Sequence, residues 1–139
     1  MLFDVWRVSR ATSGALDRAL AGTGLSADEF GLYSVLSSAP SMTPGEVARW
    51  MAAPPTTVSS YVKRLESRGH LERRRNPDDG RSYVLRLTAE GRATHQAAGT
   101  AFLPVLAQVE AELGQHEPAV RDALARLLDA LSDEAGRSA

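Results

Sequence analysis

Residues 43 to 91 read TPGEVARWMAAPPTTVSSYVKRLESRGHLERRRNPDDGRSYVLRLTAEG, and two breaks inside that stretch decide how it folds. Thr43 opens it as a capping box. Its hydroxyl can accept from the backbone N–H of Glu46, Glu46 can reach back, Pro44 suits the first helical position, and Met42 can staple onto Val47. The first break is Ala52-Ala53-Pro54-Pro55: two prolines forbid continuation of the helix but let a new one begin near Pro55 or Thr56. In that second helix Val58, Val62 and Leu65 recur at i, i+4 and i+7, a stripe for a core. The opposite face carries Thr56, Thr57, Ser59, Ser60 and Lys63. Arg68-Gly69 closes the helix with a basic last turn and a residue free to turn left-handed.

Two strands are expected next, His70 to Arg75 and Ser82 to Leu87, the latter with Tyr83, Leu85 and Leu87 on one face and Val84 and Arg86 on the other. Between them, Asn76-Pro77-Asp78-Asp79-Gly80-Arg81 is a turn by composition. Helix, turn, helix and charged hairpin make a winged helix-turn-helix. A hydroxyl-rich helix face without bulky side chains suits the major groove, where Ser and Thr can bond base edges or phosphates. Arg81 at the hairpin tip suits a minor groove, with Asp79 two residues earlier to hold it, and Arg73 and Arg75 add wing contacts. The plainer reading is a solvated helix and hairpin, and bare carboxylates at Asp78 and Asp79 would repel phosphate. Pairing of Asp79 with Arg81 is what favours the nucleic-acid reading.

The run from Thr43 to Gly91 resembles the MarR family of bacterial transcriptional regulators. Thr57-Val58, Val62, Arg64-Leu65-Glu66, Arg68-Gly69, Glu72-Arg73-Arg74, Pro77 with Asp78-Asp79, Arg81, Leu87-Thr88 and Gly91 follow that family's pattern in order and spacing. Leu25 to Leu36 looks like its second helix. The resemblance implies a homodimeric regulator, most often a repressor, that binds a near-palindromic double-stranded DNA operator and can lose affinity when a small aromatic or anionic effector binds. Two departures matter. Pro54 and Pro55 stand where a side-chain N-cap is usual, a cap that contributes roughly 0.5 to 2 kcal/mol. Ser60 stands where many members carry a large basic residue, so base preference does not carry over.

Outside this stretch, 139 residues and 43% hydrophobic content fit one globular domain, or a subunit sharing its core with a partner. The absence of cysteine excludes disulfides, thiolate metal sites and cysteine-based oxidation sensing. Met1 to Arg7 is apolar too briefly for a signal peptide or a membrane span, which predicts a cytoplasmic protein. The net charge of −1 hides a segregation: residues 61 to 92 carry +4 and residues 93 to 139 carry −4. The positive field therefore sits on the expected reading module.

Leu2 to about Ala21 reads as a helix with one apolar side, ended by Gly22-Thr23-Gly24. Ser26 and Glu29 form a second capping box, opening a helix that buries Phe30, Tyr33 and Leu36 and closes at Ala39-Pro40-Ser41. Thr88 caps a long helix from Ala89 to about Leu113 that Pro104 should kink. Pro118 begins a last helix carrying Val120, Leu124, Leu127, Leu128 and Leu131, with a frayed tail from Ser132. The expected organisation is one domain, with residues 26 to 91 as the DNA-binding module and residues 1 to 21 and 92 to 135 as dimerisation helices. His70, His95 and His116 lack metal-ligand spacing and no phosphate loop appears, so neither catalysis nor a cofactor is expected. A winged helix serving as a protein interaction module is the alternative. The resemblance implies an effector cleft between the dimer helices and the reading module, with Trp6, Arg10, Tyr33 and His95 as candidate lining residues. The plainer reading puts Trp6 and Tyr33 in the core and Arg10 and His95 on the surface, and assigns no ligand residue.

Overall fold

The computed structural model describes residues 1–137, with side-chain surroundings described to residue 132. Helices α1 (Leu2–Leu20), α2 (Ala27–Ser38), α3 (Pro44–Trp50) and α4 (Pro55–Ser67) precede a hairpin of β1 (Leu71–Arg75) and β2 (Tyr83–Leu87). Helix α5 (Ala89–Leu113), a 3-10 turn at Gly114–His116 and α6 (Glu117–Arg137) follow. The fold is mainly α with a small antiparallel wing. Helix α6 runs to Arg137, past the point where fraying was expected, and residues 138 and 139 lie outside the described residues. The chain divides into two compact units, Met1–Leu103 and Pro104–Ala139.

In the first unit both capping boxes form. The Ser26 hydroxyl accepts from the Glu29 N–H and the Thr43 hydroxyl from the Glu46 N–H, while each glutamate accepts from the cap residue's backbone. The Thr43 hydrogen bonds hold the Glu46 carboxyl below its usual range. The core gathers Leu20, Leu25, Leu32, Tyr33, Leu36, Val47, Val58, Val62, Leu65, Leu71, Leu85 and Leu87. Burial of side chains of this size contributes roughly 1.5 to 3 kcal/mol each, which is what fixes α2, α3 and α4 around one centre. Helix α2 buries more than the expected stripe, because Leu32 and Val35 are also inaccessible, whereas Phe30 is half-buried.

The hairpin pairs Leu71 with Leu87 and Arg75 with Tyr83. Strict alternation fails in β2: Val84, Leu85 and Leu87 are buried while Tyr83 and Arg86 are exposed. A contact invisible to periodicity accompanies this. Met42, just before α3, exchanges both backbone hydrogen bonds with Leu85, giving β2 a neighbour on its other edge. The open edge of a two-stranded ribbon is thereby partly paired.

The second unit comprises the end of α5 and α6 joined at the 3-10 turn, with Gly114 in the left-handed region. A cleft of about 210 Å³ runs between the two helices, lined by Leu106, Val109, Leu113, Val120 and Leu124 and edged by Glu110, Glu117 and Arg121. Arg121 bonds Glu117 one turn earlier. No described helix is long and apolar enough to cross a membrane.

Candidate nucleic-acid interface

Helix α4 presents two chemically distinct sides. Val58, Val62 and Leu65 are all but inaccessible, which turns Thr56, Ser59, Ser60 and Lys63 outward. Thr57, at the edge of the buried stripe, is half-buried, so only part of it is available to a ligand. The helix starts without a side-chain cap, as its two prolines require. The Pro54 carbonyl serves instead, accepting from the N–H groups of Thr57 (3.0 Å) and Val58 (3.2 Å). Ser60 donates its hydroxyl to the Thr56 carbonyl at 3.2 Å, which leaves its oxygen lone pairs facing solvent. The exposed strip is short, neutral and hydroxylated, with Lys63 as its cation.

The three arginines assigned to the wing differ in what they already hold. Arg73 donates from Nε and Nη2 to the two carboxylate oxygens of Glu66 on α4, at 2.6 and 2.9 Å. Its guanidinium also lies 4.6 Å from the Tyr83 ring centroid. This bidentate pair raises the Arg73 pKa further and makes Arg73 a strap between hairpin and helix. Arg75 and Arg81 are exposed and lie outside every ion pair found among the described residues. The Arg75 guanidinium crosses the hairpin tip so closely that a Cβ at Gly80 would lie 2.7 Å from its Nη2.

Asp79 holds Arg81 differently from the expected guanidinium pairing. Its carboxylate accepts the Arg81 backbone N–H at 3.0 Å, and its carbonyl accepts the Ser82 N–H at 3.0 Å. Asn76 acts similarly, accepting the Asp78 N–H at 3.1 Å and donating from its side-chain amide to the Ser82 hydroxyl at 2.9 Å. Two short Asx turns therefore shape the tip, and one of the two troublesome carboxylates is occupied by backbone. Among the described residues the Arg81 guanidinium has no carboxylate partner.

The hairpin base is fixed by close approach. Thr88 donates its hydroxyl to the Gly69 carbonyl at 2.8 Å and accepts the Gly91 N–H at 3.1 Å, so it caps α5 while tying it to the end of α4. Gly69 takes the left-handed conformation expected of it, with φ 73°. Gly91 packs against the His70 carbonyl, and an added Cβ would stand 2.1 Å from that oxygen. The His70 ring meets the Tyr33 hydroxyl at 2.6 Å, and burial raises the Tyr33 pKa.

Among the residues weighed as an effector lining, Tyr33 is core, but Trp6 is not: it is 56% exposed and stacked on Phe3 at 5.3 Å. Arg10 is exposed. His95 is half-buried, not a surface residue, with its two ring nitrogens 3.0 Å from the hydroxyls of Ser34 and Ser37 and its pKa lowered by burial. Sequence reasoning also passed over Arg64, exposed beside the hydroxyl strip. Its i+4 relation to Ser60 was a usable signal, but its acidic partner Glu29 lies far away in the chain.

A MarR family model matches residues 23–82. The chain is 30% identical to HTH-type transcriptional repressor Rv2887 of Mycobacterium tuberculosis, over 78% of each chain. Among solved structures it is similar to the M. tuberculosis regulator MOSR in complex with DNA, with 30% identity, a TM-score of 0.80 and coverage of 95% of this chain and 96% of that one. It is also similar to PcaV of Streptomyces coelicolor in complex with its natural ligand, at 26% identity and TM-score 0.76, over 91% and 90% of the two chains. With the winged hairpin and the hydroxylated helix already in place, these matches settle the family: the chain belongs to the MarR family of winged helix-turn-helix transcriptional regulators.

Proposed function

We propose that this protein is a homodimeric, sequence-specific double-stranded DNA-binding repressor, acting in the cytoplasm on a near-palindromic operator. The observation that carries the reading is the pair of outward elements in one compact unit: the strip Thr56, Ser59, Ser60 and Lys63 on α4, and the exposed Arg75 and Arg81 on the hairpin. Thr57 contributes at the edge of the strip. Hydroxyls and Lys63 share bases and phosphates in the major groove, and Arg81 enters the minor groove from a tip that Asp79 shapes through the backbone. Arg73 supports the wing through Glu66, which neutralises its charge. Residues 26 to 91 act as the reading module, and residues 1 to 21 and 92 to 135 as dimerisation helices.

One observation supports the dimer. Leu2, Phe3, Trp6 and Val8 of α1 are exposed, as are Leu106, Val109, Leu124, Leu128 and Leu131 of α5 and α6, an apolar display that a second copy would cover. The similarity to MOSR, whose structure is in complex with DNA, supports the DNA-binding part of the proposal. The similarity to PcaV, whose structure is in complex with its natural ligand, supports a small-molecule effector, for which an aromatic or anionic compound is our proposal. It is the family assignment that sets catalysis aside, and no cofactor enters the proposal.

The test is fluorescence anisotropy of the purified protein on a duplex from its own upstream intergenic region, against a scrambled duplex, at two salt concentrations. Tight, salt-sensitive binding with a large preference for the native duplex is expected. Arg81→Ala should weaken it about tenfold and reduce the salt slope by about one for each protomer. Equal weak binding to both duplexes without salt dependence would favour the protein interaction module instead.

A further inference from the structure

The first turn of α2 grips α4 at three points. Glu29, only 4% exposed, has one carboxylate oxygen fixed by the Ser26 backbone N–H at 3.1 Å. Its other oxygen faces Arg68 Nη2 at 3.3 Å and Arg64 Nε at 3.5 Å, yet makes no hydrogen bond of good geometry with either. Charge, with no directional bond, therefore holds the two guanidinium groups. Beside it, Tyr61 donates its hydroxyl to Asp28 at 2.7 Å, a contact that raises the Tyr61 pKa, and Arg64 lies 4.7 Å from the Tyr61 ring centroid.

Tyr61, Arg64 and Arg68 stand at i, i+3 and i+7, one stripe along the flank of α4 between its buried and its hydroxylated sides. The opposite flank holds Glu66, strapped to Arg73. Three aliphatic side chains can bury a 13-residue helix in several rotations, whereas base readout demands side chains placed to within roughly 0.5 Å and 10 to 20°. We infer that Glu29 is a positioning residue for sequence reading: by holding Arg64 and Arg68 it sets the rotation of α4 about its axis, opposite the Glu66–Arg73 strap.

The inference rests on the DNA-binding reading and is tested on the full-length protein with the same native and scrambled duplexes. Glu29→Gln keeps the shape and the capping-box acceptor but removes the charge. The ratio of native to scrambled affinity should fall about tenfold, while affinity for the scrambled duplex holds or rises because two arginines are released. A parallel loss on both duplexes would show mere structural support and overturn the inference, as would an unchanged ratio. Should Glu29→Gln fail to fold, Arg68→Met serves: a fall in the ratio is required, and an equal loss on both duplexes marks Arg68 as a plain phosphate contact. Absence of any preference in the unmodified protein would sink the DNA reading and this inference with it; a preference there, with an unchanged ratio in the variant, would sink this inference alone.

Discussion

Residues 20 to 98 and the helical termini spend their apolar side chains differently. Between Leu20 and Ala98 lie all the buried hydrophobic residues of the described chain, with Tyr33, Leu32, Leu65 and Leu85 completely covered. In α1 and α6 the equivalent side chains face outward: Phe3, Trp6, Leu124, Leu128 and Leu131 are each about half exposed or more. The first region covers most of its apolar side chains within a single chain, Trp50 excepted, whereas the second leaves its own exposed. A reading surface needs rigid support, which a self-contained core supplies. Two reading surfaces need a spacing, which helices shared between copies would supply.

The contrast is broken most severely at Gly91. A Cβ there meets the His70 carbonyl, which is backbone and cannot swing aside, so Gly91→Ala should cost roughly 3 kcal/mol, the upper end of overpacking penalties. Urea denaturation would measure it, and a loss below about 1 kcal/mol would mean that the α4 to β1 corner is not rigid. At the other region, Leu124→Asp with Leu128→Asp should leave the reading module folded but convert a dimer to monomers in sedimentation equilibrium. Operator affinity should then fall on the order of a hundredfold as the two half-sites uncouple. An unchanged mass would remove the second copy from the account.

Smaller changes sharpen the comparison from within the module. Ala52, after α3, holds φ at 48°, a conformation that disfavours a side chain. Ala52→Gly should therefore stabilise the protein by about 0.5 kcal/mol, the released strain being partly offset by the greater entropy of the unfolded chain. A lower melting temperature would show that the residue is not strained.

The smallest effect is expected at His95, whose folded pKa lies below the ordinary value because of burial. Below about pH 6.5 the unfolded chain binds the proton more readily. The contribution is therefore fully present above that value and is lost as pH falls through the folded pKa. His95→Asn should flatten this part of the stability profile, and an identical profile in the variant would assign the pH dependence elsewhere.

Much of the module was legible because its signals are local. Thr43 with Glu46 and Ser26 with Glu29 are three residues apart, and both boxes close. Val58, Val62 and Leu65 face inward because a 3.6-residue period leaves them no other common face. Gly69 turns left-handed at the end of α4 as a glycine there should. The misses share a different origin. Val84 is buried although it breaks the alternation of β2, and Trp6 is exposed although it is aromatic in an amphipathic helix. In both, burial depends on what lies opposite, which periodicity does not specify.

Side-chain partners show the same division. Arg73, Arg75 and Arg81 are the same residue type within nine positions, and nothing in their spacing says that Glu66 occupies the first and leaves the others outward. Asp79 meets Arg81 through the backbone N–H, and the expected pairing with the guanidinium does not form. The sequence by itself determined the helices, their caps, the turn residues and the segregation of charge, because each follows from interactions spanning a few residues. The tertiary structure alone decided which arginine Glu66 engages, why position 91 must be glycine and how Glu29 reaches α4. These depend on distances between atoms remote in the chain, which packing sets.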